Sequence, residues 1–221
     1  MKRKLLITGD GSPTIHFEEM GETYHSVHGA LTESVHVFIK AGLHEVTKNN
    51  TSISIFEVGL GTGLNSWLTE NEELPSTVSI QYAALEPYPL EVELIEQLVS
   101  QETFKTSKHL ISLIHSDKWD QDILLRENFL FRKIQQRLED YNVSQQYNLI
   151  YMDAFAPNKQ AEVWSLENIK KLFDILLPGG VLVTYCANGA FKRNLKTCGF
   201  VVESLPGPPG KFEMTRAFKA V

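Results

Sequence analysis

Cysteine is nearly missing. The 221 residues hold two, Cys186 and Cys198, with no metal-ligand spacing between them, which excludes a disulfide scaffold and a cysteine-based zinc site. No run approaches the roughly eighteen consecutive apolar residues of a membrane span. The basic start Met1-Lys2-Arg3-Lys4 leads only into Leu5-Leu6-Ile7, too short an apolar stretch for a signal peptide. The chain therefore reads as soluble, unexported and cytoplasmic. Positive charge is also in deficit: a net charge of -6 argues against a protein that coats nucleic acid through long-range attraction. That average hides an asymmetry. Residues 154 to 221 carry nine Lys or Arg against five Asp or Glu, net +4, whereas residues 1 to 153 carry twelve against twenty-two, net -10. The split is compatible with a localised phosphate-contacting face and also with ordinary exposed helix charges.

A linker, an internal repeat and low-complexity tracts are likewise missing, so the length favours one domain with small decorations. With 43% hydrophobic and 22% charged residues, a true core can be buried. Leu5-Leu6-Ile7 and Thr14 to Phe17 flank the turn cluster Gly9 to Pro13, predicting a β-hairpin, and Leu31, Val35, Phe38, Ile39 and Leu43 recur at helical spacing, predicting a helix that ends near Gly42. Residues 1–49 thus read as an N-terminal hairpin and helix ahead of a main domain at 50–221. Ser52 to Val58 alternates into a strand followed by a glycine loop and a helix from Leu64 to Thr69. Val78 to Leu85 is the second strand and Leu90 to Ser100 its helix. His109 to His115 is expected to be a short third strand ending at Asp117, with a charged helix from Ile123 to Asp140. Tyr147 to Met152 reads as a buried parallel strand, Glu167 to Leu177 as a helix stopped by Pro178-Gly179-Gly180, Val181 to Tyr185 as a strand and Ala190 to Thr197 as a helix. Phe200 to Leu205 and Phe212 to Lys219 close the chain as a hairpin. Alternating strands and helices with an antiparallel pair at the end specify a doubly wound α/β sheet with a mixed, reversed edge.

In such sheets ligands bind beyond the carboxyl ends of the strands, and four acidic residues fall there: Glu57, Glu86, Asp117 and Asp153. The first strand-to-helix turn reads Glu57-x-Gly59-x-Gly61-x-Gly63. Its spacing is not the G-x-G-x-x-G of dinucleotide folds, and an acid just ahead of it would repel a pyrophosphate. S-adenosylmethionine carries a sulfonium and an ammonium group and no phosphate, so an acidic, glycine-lined pocket matches it; the plain alternative is an ordinary βα turn. Glu86 ends the second strand, where a carboxylate can accept both ribose hydroxyls, and Asp117 is placed to accept from an adenine amino group or to cap a helix. Asp153 follows an apolar strand and precedes Phe155 and Pro157. A carboxylate there can orient an amine and take its proton, in the manner of the acidic-or-amide, proline, aromatic motif of amino methyltransferases, unless it simply caps the turn at Ala161 to Trp164. His25, His28 and His36 have no acidic partner at metal spacing, so no metal is expected. Trp164 and Phe191 read as packing residues. Lys192, Arg193 and Lys196 on the last helix are phosphate-contact candidates or a solvated face.

Phe56-Glu57-Val58-Gly59-Leu60-Gly61-Thr62-Gly63-Leu64-Asn65, Tyr151-Met152-Asp153-Ala154-Phe155-Ala156-Pro157-Asn158-Lys159 and Pro178-Gly179-Gly180, with Tyr24-His25-Ser26 and Gly210-Lys211-Phe212-Glu213-Met214, resemble one family over nearly the whole chain. It is similar to the methyltransferase part of the MnmC-type tRNA wobble-uridine modification enzymes. The resemblance implies a Rossmann-like class I methyltransferase fold and methyl transfer from S-adenosylmethionine to the exocyclic amine of 5-aminomethyl-2-thiouridine in tRNA. It also implies that Glu57, Gly59, Gly61 and Gly63 hold the methionine half of the cofactor, Glu86 the ribose, Asp117 the adenine and Asp153 the acceptor amine. Tyr24, Phe155 and Pro157 would meet the substrate, and Lys192, Arg193 and Lys211 would face RNA. The chain lacks the family's fused flavin-dependent oxidoreductase domain and is shorter between the second and third strands, so a stand-alone methyltransferase is expected, its acceptor coming either from an aminomethyl-forming pathway or from a separate oxidoreductase. An aminopropyltransferase, which uses a related fold and acidic residues to bind a polyamine, and a non-catalytic cofactor- or RNA-binding module remain alternatives.

Overall fold

The structure, a computed structural model, describes residues 2–142 and 145–221. A three-stranded sheet comes first, β1 (Arg3–Ile7), β2 (Pro13–Phe17) and the short β3 (Glu22–Thr23), with β1 and β2 antiparallel as their hydrophobic runs and intervening turn require. A continuous helical rod follows. It begins as α1 (Ala30–Ser34), passes through a π-helical stretch at Val35–Leu43 and ends as α2 (His44–Thr47), so Gly42 lies inside the rod rather than stopping it. The glycine permits close approach to the sheet: a Cβ there would lie 2.9 Å from Val183 Cγ2.

The main sheet is eight-stranded, in the order β10-β11-β9-β8-β4-β5-β7-β6. Its parallel centre is β9 (Leu176–Thr184), β8 (Tyr147–Met152), β4 (Ser52–Val58), β5 (Ser79–Leu85) and β7 (Phe129–Ile134). Strands β10 (Phe200–Pro206) and β11 (Glu213–Lys219) form the expected hairpin. The last strand is not the edge: β11 inserts between β9 and β10, running antiparallel to both. Helices α3 (Leu64–Asn71), α4 (Val92–Val99), α5 (Lys108–Ile114), α6 (Leu166–Ile175) and α7 (Gly189–Thr197) are the connections. Two apolar cores result. One lies between the sheet and the rod with α3, α4 and α5, the other beneath α6 and α7. Trp164 and Phe191 pack edge to face in the second, 4.8 Å apart.

Three expectations are corrected. The segment expected as the third strand is α5, because Ile111 and Ile114 repeat at helical spacing and both are buried. The charged stretch expected as a helix is the hairpin of β6 (Ile123–Arg126) and β7, in which Phe129, Phe131 and Lys133 alternate inward and Arg132 pairs with Asp122 at 2.7 Å across the turn. The third parallel strand therefore ends at Ile134, and Asp117 lies exposed in the loop after α5. Finally, α6 stops at Ile175 and Pro178-Gly179-Gly180 lie inside β9, where the pairing with β8 shifts register.

Candidate active site

Because β4, β5 and β8 are parallel and paired in register, their last residues Val58, Leu85 and Met152 arrive together at one sheet edge. The residues that follow, Gly59, Glu86 and Asp153, border a cavity of about 310 Å³, large enough for a small cofactor. Its opposite wall comes from the N-terminal sheet and the segment behind it, through Phe17, Met20 and Tyr24. The Tyr24 ring meets Phe155 edge to face at 5.4 Å, closing the wall over the loop after β8. That loop is itself held from beneath, since the Tyr185 hydroxyl donates to the Ala154 carbonyl and Trp164 Nε1 to the Phe155 carbonyl, both at 2.7 Å.

The glycine loop needs its glycines. Gly59 and Gly61 adopt φ of 96° and 52°, and a Cβ on them would lie 2.6 Å from the Asp153 carbonyl oxygen and 3.0 Å from the Tyr24 ring. The amides a pyrophosphate would need are committed: Gly59 and Leu60 donate to the Leu85 carbonyl, Gly61 to Glu86 Oε2 at 2.9 Å and Gly63 to the Leu60 carbonyl. Two of the cations on the wall are neutralised by acids, while a third, Arg137, lies over the Tyr88 ring and donates to its hydroxyl. Arg3 pairs with Glu91 at 2.7 Å and Lys159 with Glu22 at 3.0 Å. With Glu86 and Asp153 both on the lining, the cavity fits a cationic ligand without phosphate, as S-adenosylmethionine is.

Glu86 accepts from the Gly61 and Tyr88 amides, which fixes its carboxyl at the rim, while burial raises its pKa. Asp153 is pushed up to about 7, first by burial and then by the nearby charge of Glu33; a hydrogen bond from Asn65 and the charge of Lys211 act in the opposite direction. It caps no helix in the segment that follows, where the side chain of Ser165 caps α6.

The other expected residues are placed differently. Glu57 is fully buried beneath the loop, off the cavity, where its Oε1 accepts from Asn65 Nδ2 at 2.9 Å. Gly63 opens α3 in a left-handed conformation. Asp117 and Pro157 lie off the lining, and the place expected for Asp117 falls to Gln136 and Leu138 after β7. Lys192 pairs with Glu213 at 2.5 Å, and Lys211 pairs with the buried Glu33 at 2.5 Å and covers the Tyr185 ring. Arg193 is exposed. Sequence reasoning passed over Asn65, Gln136 and Met20. The alternation in residues 129 to 133 is the signal that would have found Gln136. Among the described residues, no group of His, Cys, Asp or Glu is placed to hold a metal ion, and no helix is long and apolar enough to cross a membrane.

Residues 95–220 match a family described as S-adenosyl-L-methionine-dependent methyltransferase. The chain is 26% identical to the tRNA 5-methylaminomethyl-2-thiouridine biosynthesis bifunctional protein MnmC of Cupriavidus necator, over 96% of this chain and 34% of that protein. It is 27% identical to the protein of the same name from Burkholderia pseudomallei, over 88% and 32%. The chain thus spans about a third of the length of the curated relatives it matches. Among solved structures, it superposes on MnmC2 from Aquifex aeolicus with a TM-score of 0.79 at 22% identity, covering 100% of this chain and 72% of that one. Spermidine synthase from Thermotoga maritima gives a TM-score of 0.60 at 11% identity, covering 98% and 68%. Both likenesses concern the fold.

Proposed function

Since the chain belongs to the S-adenosyl-L-methionine-dependent methyltransferase family, we propose that its acceptor is the exocyclic amine of 5-aminomethyl-2-thiouridine at the wobble position of tRNA, with Asp153 handling the amine. The observation that carries this reading is the Asp153 carboxyl on the cavity wall, between the glycine loop and the aromatic pair Tyr24 and Phe155. The names of the MnmC relatives support the choice of tRNA.

When bound, S-adenosylmethionine supplies a methyl carbon made electrophilic by its sulfonium. Glu86 would hold the ribose hydroxyls, Gly59 and Gly61 would admit the cofactor close to the backbone, and Gln136, in place of Asp117, would hold the adenine edge. A primary amine is mostly protonated near neutral pH and attacks only when neutral. Asp153 first orients it through a charge-assisted hydrogen bond and then holds its proton, a task suited to a carboxyl raised to about 7. Tyr24 and Phe155 flank the base and keep water from the carboxyl.

The test is transfer of isotope-labelled methyl to tRNA carrying the aminomethyl nucleoside, read by nucleoside mass spectrometry. One added methyl on that nucleoside is expected. Asp153→Ala should slow transfer by about 10²–10⁴-fold while leaving cofactor affinity within a few-fold. Label that never enters RNA overturns the reading.

A further inference from the structure

Below the cavity floor, two carboxyl side chains from different strands meet a single amide. Asn65 stands in the first turn of α3, only 2% exposed, and its Nδ2 donates at 2.9 Å to Glu57 Oε1 and at 2.7 Å to Asp153 Oδ2. Both amide hydrogens are thereby used. The amide cannot be turned over without cost, because its carbonyl oxygen would then face two carboxyl oxygens. That oxygen, Asn65 Oδ1, is buried without a hydrogen-bond partner among the described residues, as is Glu57 Oε2. Among the described residues no cation reaches Glu57, which lies fully buried on β4 with the Tyr82 hydroxyl close enough to act on its acidity. An uncompensated charge in such a place is not sustained, so Glu57 is the neutral, protonated acid and Asp153 the one that titrates. Asp153 Oδ1, by contrast, accepts from no described residue.

We propose that Asn65 is a positioning residue for Asp153: anchored on Glu57, its amide ties down Oδ2 of Asp153 and leaves Oδ1 as the oxygen presented to the acceptor amine. The proposal rests on the functional reading above in assigning the amine, and it moves Glu57 from the cofactor's surroundings to the support of the carboxylate. The charged and titratable groups acting on Asp153 are known element by element: Glu33 on α1, its partner Lys211 before β11, Tyr185 after β9, Tyr82 on β5 and Glu57 on β4. Of these, a substitution at Asn65 touches only Glu57, and loss of the amide raises that carboxyl further, which keeps it neutral.

The experiment titrates the Asp153 carboxyl by carbon NMR in protein labelled at aspartate, the signal being assigned by its loss in Asp153→Asn. Removing the amide with Asn65→Leu, which keeps the volume, or Asn65→Ser, which keeps one donor if the larger change prevents folding, should move that titration upward, by roughly one unit for leucine and less for serine. Methyl transfer supplies the second arm. Asn65→Leu should lower kcat by about 10–100-fold in the wild-type background and by less than about twofold in Asp153→Asn, because its effect passes through Asp153. An unmoved titration, or equal losses in both backgrounds, overturns the proposal. Wild-type protein that methylates no tRNA would refute the functional reading instead, and the NMR titration, which needs no turnover, would still decide the role of Asn65.

Discussion

A carboxyl group held near 7 is a burden on the fold, and Asp153 shows which way the burden runs. Its ordinary value is 3.8 and its folded value about 7. Between those limits the folded protein holds a proton that the unfolded chain has lost, so this group's contribution to stability falls as pH rises from about 4 to about 7 and stays low above that. Asp153→Asn removes the penalty while its side-chain oxygen still accepts from Asn65. Its melting temperature should therefore exceed that of the wild type by about 10 °C at pH 8, the rise from 3.8 to about 7 being worth roughly 4 kcal/mol at about 2–4 °C per kcal/mol, and converge on it near pH 4. Scanning calorimetry at the two pH values decides it; a constant difference would mean the carboxyl is not perturbed. Asp153, Glu86 and the loop glycines were legible in the sequence because each follows an apolar run that can only be a buried strand. Asn65 was not legible as a partner of Asp153, 88 residues away, because their meeting depends on the pitch of α3 and the order of strands in the sheet.

At the scale of elements, the N-terminal sheet matters as a wall of the cavity, and one side chain fastens it. Arg3 on β1 donates to the Tyr24 hydroxyl at 3.2 Å within the wall and to the Tyr88 and Pro89 carbonyls at 2.8 and 2.7 Å, and it pairs with Glu91, the last three lying in the segment that follows Glu86. Arg3→Ala should raise the dissociation constant for S-adenosylmethionine by about tenfold, measured by calorimetric titration, with a smaller change in the rate at saturating cofactor. An unchanged affinity would show that the wall holds without its clasp. Strands β4 and β8 were read from the sequence with the bounds the structure has, since long apolar runs bounded by glycine or aspartate leave few options. The region between α4 and β8 was misread. Charged residues on β6 and β7 look helical when counted by composition, and only the two-residue alternation around Phe129 and Phe131 reveals the hairpin.

For the whole molecule, the uneven charge limits how RNA would be held if the proposed acceptor is right. The net -6 repels a polyanion at long range, and two of the basic residues expected to face RNA, Lys192 and Lys211, are neutralised by Glu213 and Glu33. Arg193 and Lys196 form no ion pair with a described residue and are both exposed on α7, three residues apart and so on one face. That helix starts just beyond β9, the neighbour of the strand that delivers Asp153, so its first turn lies at the active edge, with Arg193 about one turn and Lys196 about two turns further along. Binding through so few phosphates should depend weakly on salt. Each contact contributes about -0.7 to -0.9 to the slope of log affinity against log salt, giving roughly -1.4 to -1.8 for this pair. The double variant Arg193→Ala, Lys196→Ala should flatten that slope by the same amount and weaken tRNA binding alike for cognate and non-cognate sequences, because phosphate contacts position without reading bases. Fluorescence anisotropy over a salt series measures both quantities. A wild-type slope steeper than about -4 would require a broad phosphate-binding surface, and the chain's acidity would then be offset by basic groups other than these two.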